Sequence, residues 1–192
     1  GYHGWHDWYL SANLNKKYGL DEHLLPELEP NGVPKSLTNT VFPFQYNHFD
    51  ELENIIQQNE IGIIKMEVIR NVEPKNDFLK RVRDLATKKN IILIFDECTS
   101  GFRENYGGIH LKYGIMPDMA IFSKALGNGY AISAILGKEP IMQHAQSTFI
   151  SSIFWTEIIG SASALATLKV MKELKSWEII TQIGKKIEEN WF

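Results

Sequence analysis

Apolar and polar positions along the chain fall into two rhythms. Residues 61–67 and 91–95 are short, nearly unbroken apolar runs, the pattern of strands buried on both faces. Between them, residues 77–89 place Phe78, Val82, Leu85 and Ala86 on one side of a 3.6-residue period, which predicts an amphipathic helix. Strand, helix, strand with short links is a βαβ crossover and implies a parallel sheet covered by helices. Residues 118–122 and 131–136 read as further short strands. Residues 157–175 are rich in Ala and Leu and predict a long helix, with a second starting near Trp177. Upstream, Leu52, Ile55 and Ile56 share one helical face. Asp50 and Glu53 have the spacing of a capping box that would open that helix. The segment 26–46 carries Pro26, Pro30, Gly32, Pro34 and Pro43 and reads as connecting loop.

Composition narrows the class without changing the picture. The chain has 192 residues, 44% of them hydrophobic, as expected of a folded domain. The formal charge of −3 gives no electrostatic case for nucleic acid or an anionic membrane, and no apolar run is long enough to span a bilayer. A single cysteine, Cys98, rules out an intrachain disulfide and a Cys-based zinc cage, and fits a reducing cytoplasm. The chain opens on Gly1 and stops within a predicted helix, so it reads as an internal piece of a longer protein.

In open α/β sheets, ligands sit outside the carboxyl ends of the strands. Glu67, Asp96 and Glu97 fall at predicted strand ends, and Lys124 follows the strand ending near Phe122. If those strands are parallel, all four groups converge on one edge. A carboxylate that closes an apolar run needs a positive or hydrogen-bonding partner. An amine set between an apolar strand and the turn Gly127-Asn128-Gly129 gains nucleophilicity if it is desolvated. Spacing alone leaves Asp96 and Lys124 open between a catalytic pair and a buried ion pair that only orders the sheet.

The longer context bears on that choice. Phe95-Asp96-Glu97-Cys98-Thr99-Ser100-Gly101-Phe102-Arg103, followed by Pro117-Asp118-Met119-Ala120-Ile121-Phe122-Ser123-Lys124-Ala125-Leu126-Gly127-Asn128-Gly129, resembles the signature of class III aminotransferases, which are fold-type-I pyridoxal-phosphate enzymes. With Gly1-Tyr2-His3-Gly4 and residues 156–166, the resemblance is strongest to the glutamate-1-semialdehyde aminomutase branch and its aminotransferase relatives. It implies an α/β three-layer sandwich with a mostly parallel sheet, here an incomplete large domain. Residues 1–168 would be its central part, and 169–192 the connecting helices toward a C-terminal small domain. It implies pyridoxal 5'-phosphate as cofactor, Lys124 as the Schiff-base lysine and proton carrier, and Asp96 as partner of the pyridinium nitrogen. Cys98 would pack on one ring face, where relatives carry an aliphatic residue, and Tyr2 would stack on the other, with His3 beside it.

The remaining candidates are weaker. Thr156 takes the place of a threonine that reaches the phosphate of a neighbouring subunit, implying a homodimer; a helix N-cap is the plainer reading. Glu67 corresponds to a glutamate near the cofactor, though Val68 stands where a proline is usual, and a structural carboxylate explains it equally well. Arg103 suits a substrate carboxylate, but a structural salt bridge is the better explanation. His3, His6 and Asp7 have metal-like spacing without further ligands, so no metal site is expected.

The expected function is movement of an amino group between an amine or amino acid and a carbonyl compound. The aromatic stretch Trp5-His6-Asp7-Trp8-Tyr9 tilts this toward a bulky, sugar-like substrate. Glutamate-1-semialdehyde 2,1-aminomutase is the alternative enzyme, and a non-catalytic truncated remnant the alternative of another class. The cofactor's phosphate turn lies upstream of the Tyr2 motif in the family, so the isolated chain is expected to bind cofactor poorly and turn over weakly.

Overall fold

The computed structural model describes residues 7–15, 29–151 and 155–191. The chain forms two compact units, 1–61 and 62–192. In the first, a short helix α1 (Asp7–Leu10) leads into a 3-10 turn with Ser11 and Ala12 buried. The Pro-rich stretch is loop broken by a 3-10 turn at Lys35–Leu37, and α2 runs over Phe49–Gln58. Leu52, Ile55 and Ile56 are its buried face, as the periodicity predicts. The capping box does not form. His48 is the N-cap and its side chain makes no capping hydrogen bond, and Asp50 lies inside the first turn, where its charge complements the helix dipole. The Trp5-His6 part of the aromatic stretch lies outside the described residues.

The second unit holds the sheet. Strands β1 (Ile63–Glu67), β2 (Ile92–Asp96) and β3 (Met119–Phe122) are parallel neighbours, and β4 (Ala134–Gly137) adds antiparallel to β3. Helix α3 (Phe78–Lys88) is the crossover between β1 and β2 and packs on β2. The predicted boundaries hold to within a few residues; the strands begin one to three residues late, where the apolar run precedes the ladder.

Alternation along the strands sorts the two faces. Ile64, Met66, Leu93 and Phe95 are buried, together with Phe78, Leu79, Val82, Leu85 and Ala86 of α3. Each of these side chains larger than alanine contributes roughly 1.5–3 kcal/mol by leaving water. Ile63, Lys65, Glu67, Ile94 and Asp96 point the other way, and none of these is fully buried.

Two short helices, α4 (His110–Tyr113) and α5 (Glu139–Met142), flank β3 and β4 in sequence. Helix α6 (Ile159–Leu174) then packs Ala164 with Ala120, Phe122 and Leu126, and Leu168 borders the same cluster. Gly160 lets its first turn lie against residue 131, since a Cβ there would come 2.9 Å from the Ala131 carbonyl oxygen. Lys175, left-handed, ends α6, and α7 (Ser176–Trp191) follows with no buried residue. The boundary expected at residue 168 falls inside the continuous helix α6.

Candidate active site

Parallel pairing brings the ends of β1, β2 and β3 to one edge. Glu67 is opposite Asp96 and Asp96 is opposite Ile121, so Lys124 lies just beyond the same edge. Glu97 does not join them. It follows Asp96 by one residue and so faces the opposite side of the sheet. There it is fully buried. Its Oε1 accepts from the His110 amide at 3.0 Å and meets His110 Nδ1 at 2.7 Å; its Oε2 accepts from the Ile109 amide at 3.0 Å and from Ser100 Oγ at 2.5 Å. Burial pushes its carboxyl up, but the hydrogen bonds of His110, Ser100 and Ile109 outweigh that and hold it below the ordinary range. Glu97 therefore staples the 97–110 loop.

That loop sets the reach of Lys124. Thr99 Oγ1 accepts a hydrogen bond from Lys124 Nζ at 2.7 Å, while the Thr99 carbonyl accepts from Arg103 Nε at 2.7 Å. Arg103 thus makes a backbone hydrogen bond among the described residues, and not the ion pair expected of it. Lys124 itself stands at φ +44°, a left-handed conformation uncommon outside glycine, and opens a tight turn. The amides of Gly127 and Asn128 donate to its carbonyl at 3.2 and 3.1 Å, and Ser163 Oγ of α6 donates to the Gly127 carbonyl at 2.8 Å. A left-handed lysine of this kind is held by its surroundings, a pattern that clusters at functional sites.

Asp96 and Lys124 do not pair. Lys65 Nζ is 2.7 Å from Asp96 Oδ2, and the Cys98 amide donates to Oδ1 at 3.1 Å. Lys65 lies opposite Ile94, two residues before Asp96 on the same face, so its stem reaches the carboxylate first. Burial raises the Asp96 carboxyl, yet the hydrogen bond and charge of Lys65, with the bonds from Cys98, bring it below the ordinary value of 3.8. The reading of Asp96 and Lys124 as a sheet-ordering ion pair therefore fails: the ordering cation is Lys65. The expected desolvation of Lys124 is also not met, because its side chain is exposed among the described residues.

The other candidates separate. Cys98 is half-buried between the charged groups. Burial, then the hydrogen bond and charge of Asp96, push its thiol up to about 11, against an opposing pull from Lys65 and Lys124. The Cys98 amide bonds the same Asp96 carboxylate that Lys65 holds. Glu67 bonds Arg70 through Oε1 at 3.2 Å, and its buried Oε2 has no hydrogen-bond partner among the described residues. Thr156 is exposed in a turn before α6, whose N-cap is Ile158, so the capping explanation for it does not hold. Tyr2 and His3 lie outside the described residues. Lys65 and Thr99 are the site residues that sequence reasoning missed. A lysine inside an otherwise apolar strand was the available signal for Lys65; nothing local marks Thr99.

Residues 34–191 match the family model for aminotransferase class III. The chain belongs to the class-III aminotransferase family. Family members depend on pyridoxal phosphate. The chain is 34% identical to a 3-aminobutyryl-CoA aminotransferase of Cloacimonas acidaminovorans (strain Evry), over 97% of this chain and 43% of that protein. It is 31% identical to a glutamate-1-semialdehyde 2,1-aminomutase of Sulfurisphaera tokodaii, over 98% of this chain and 45% of that one. It therefore spans less than half the length of these curated relatives. Among solved structures, the PLP internal aldimine form of the Sphingopyxis sp. MTA144 FumI protein superposes with a TM-score of 0.74 at 23% identity, covering 90% of this chain and 40% of that one. An omega-transaminase from Sphaerobacter thermophilus gives 0.73 at 22%, over 88% and 42%. These likenesses establish the fold-type-I architecture of the class-III family.

Proposed function

We propose that the protein containing this chain is a pyridoxal-phosphate-dependent aminotransferase that moves an amino group between an amine or amino acid and a carbonyl substrate. The observation that carries the reading is the C-terminal edge of β2 and β3. There an exposed amine, Lys124, follows β3, and a partly screened carboxylate, Asp96, closes β2 and accepts from the Cys98 amide. That donor set fits the cofactor: an amine for an aldehyde, a carboxylate with lone pairs to spare for a ring N–H, and a soft side chain to lie on a ring face.

When bound, pyridoxal phosphate supplies an aldehyde for amines to condense with and a ring that spreads the negative charge left when a Cα proton departs. Each of the chain's residues has its own part. Asp96 holds a proton on the ring nitrogen. Lys124 Nζ, held by Thr99 Oγ1 in the cofactor-free chain, would bond the aldehyde until the substrate amine displaces it, and would then carry the Cα proton. Cys98 packs beneath the ring. Thr156, on an exposed turn, serves a neighbouring subunit's phosphate in this reading, which is the reason to expect a homodimer. Tyr2 and His3 complete the ring's surroundings in this reading, and Glu67, whose buried Oε2 no described residue bonds, stands at the end of the strand beside Asp96. Residues 1–168 belong to the cofactor-binding large domain and 169–192 lead out of it. A free Cys98 thiol fits a cytoplasmic setting.

An intramolecular version is the second reading, favoured by the 31% identity to a glutamate-1-semialdehyde 2,1-aminomutase. The full-length protein, loaded with pyridoxal phosphate and given an amino donor, should convert the cofactor to pyridoxamine phosphate, read by chromatography. Lys124→Ala should reduce the rate at least about a thousandfold, the scale of a lost general acid–base and covalent anchor. Conversion at an unchanged rate in that variant would contradict the assignment. An amino shift within glutamate 1-semialdehyde alone, with no external acceptor used, would select the second reading.

A further inference from the structure

Lys65 is a residue the family reading does not account for. It is a cation in the middle of an apolar strand, with a side chain one-fifth exposed, and it reaches across to the neighbouring strand's terminal carboxylate at 2.7 Å. A half-buried lysine there carries a desolvation cost that an aliphatic residue would avoid. Asp96 has two fixed contacts, Lys65 on Oδ2 and the Cys98 amide on Oδ1, so the carboxylate cannot rotate without breaking one of them. Other charged or titratable groups face it from each side: Cys98 in its own loop, Lys124 beyond β3, and Glu67 with Arg70 at the end of β1.

We propose that Lys65 is a positioning residue: it fixes the orientation of the Asp96 carboxylate and, by sharing its charge, limits how strongly that carboxylate holds a proton on the cofactor's ring nitrogen. The inference rests on the reading of Asp96 as the ring-nitrogen partner. A carboxylate shared with a cation attracts a ring N–H less than an unshared one, by simple Coulomb interaction at a few ångströms. The consequence is a site tuned to release the ring proton at a lower pH than a lone aspartate would allow.

The test uses the full-length protein with 4-deoxypyridoxine 5'-phosphate, which has no aldehyde and so reports ring binding without involving Lys124. The pH midpoint of its ring-nitrogen protonation is read by ultraviolet absorbance in the wild type and in Lys65→Met, Lys65→Arg and Asp96→Asn. In parallel, alkylation of Cys98 in cofactor-free protein is followed by peptide mapping. Lys65→Met should raise the midpoint by about one pH unit, while Lys65→Arg stays near the wild type because the cation is kept. Cys98 alkylation should slow severalfold in Lys65→Met, since the thiol loses a cation that favours its thiolate. Asp96→Asn should lower the midpoint. If Asp96→Asn shifts it and Lys65→Met does not, the inference about Lys65 is overturned and the cofactor reading stands. If neither shifts it, Asp96 is not the ring partner and both fall. Equal midpoints in Lys65→Met and Lys65→Arg would likewise overturn the role of the charge.

Discussion

Asp118 and Asp96 occupy opposite edges of the same parallel strands. Asp118 precedes β3 at the sheet's N-terminal edge, and every one of its contacts is spent on the fold. Oδ2 accepts from Arg83 of α3 and from the Leu93 amide, both at 2.8 Å, and Oδ1 accepts from Lys138 after β4 at 2.7 Å. Burial raises its carboxyl, and the Leu93 amide, Lys138 and Arg83 bring it below the ordinary range. It ties three elements together and faces no other reactive group described above. Asp96, at the C-terminal edge, has one cation and one amide, keeps lone pairs in reserve, and lies near an exposed amine. Two carboxylates shifted in the same direction thus have different work. A lowered carboxyl marks a stabilised charge; only the spare capacity and the neighbours separate a clasp from a site.

The sharpest way to break this comparison is to remove each carboxylate. Asp118→Ala strands a buried amide and two cations and should cost about 3–5 kcal/mol in urea unfolding. Asp96→Asn keeps shape and one acceptor oxygen but loses the ionic contact to Lys65, and should cost about 1–2 kcal/mol in the same measurement. Equal losses would erase the distinction. A smaller effect sharpens it. Asp96, Glu97 and Asp118 all have lowered folded-state values, so their stabilisation is present above the ordinary 3.8 (Asp) and 4.5 (Glu) and is lost as pH falls through the lower folded values. Stability measured from pH 6 to 2 should fall toward acid, and the fall should be shallower in Asp118→Ala than in Asp96→Asn if Asp118 is the better-held charge.

Much of this was legible in the residues because burial on both faces leaves continuous apolar runs. Residues 61–67 and 91–95 could be read as paired strands, and the Phe78, Val82, Leu85, Ala86 spacing as the helix between them. The chain direction at each strand end then placed Asp96 and Lys124 at one edge. What stayed hidden was side-chain partnership across the sheet. Lys65 comes 31 residues before Asp96, and Thr99 comes 25 before Lys124. No local pattern encodes such contacts; they follow from register and from which rotamer arrives first. Glu97 was misplaced for a related reason, since adjacent strand residues face opposite sides and the strand's exact end decides which. The Asp50 and Thr156 caps failed because each helix starts at a position one or more residues away from where its polar side chain could serve.

The claim on which the rest depends is that Lys124 is the lysine that bonds the cofactor. Lys65 is the natural rival, being a second amine whose side chain already touches Asp96 at that edge. Borohydride reduction of the full-length protein loaded with pyridoxal phosphate, followed by peptide mapping, decides between them. The label is predicted on the peptide carrying Lys124, with Lys65 unmodified; a label on Lys65, or on any lysine other than Lys124, would contradict the account.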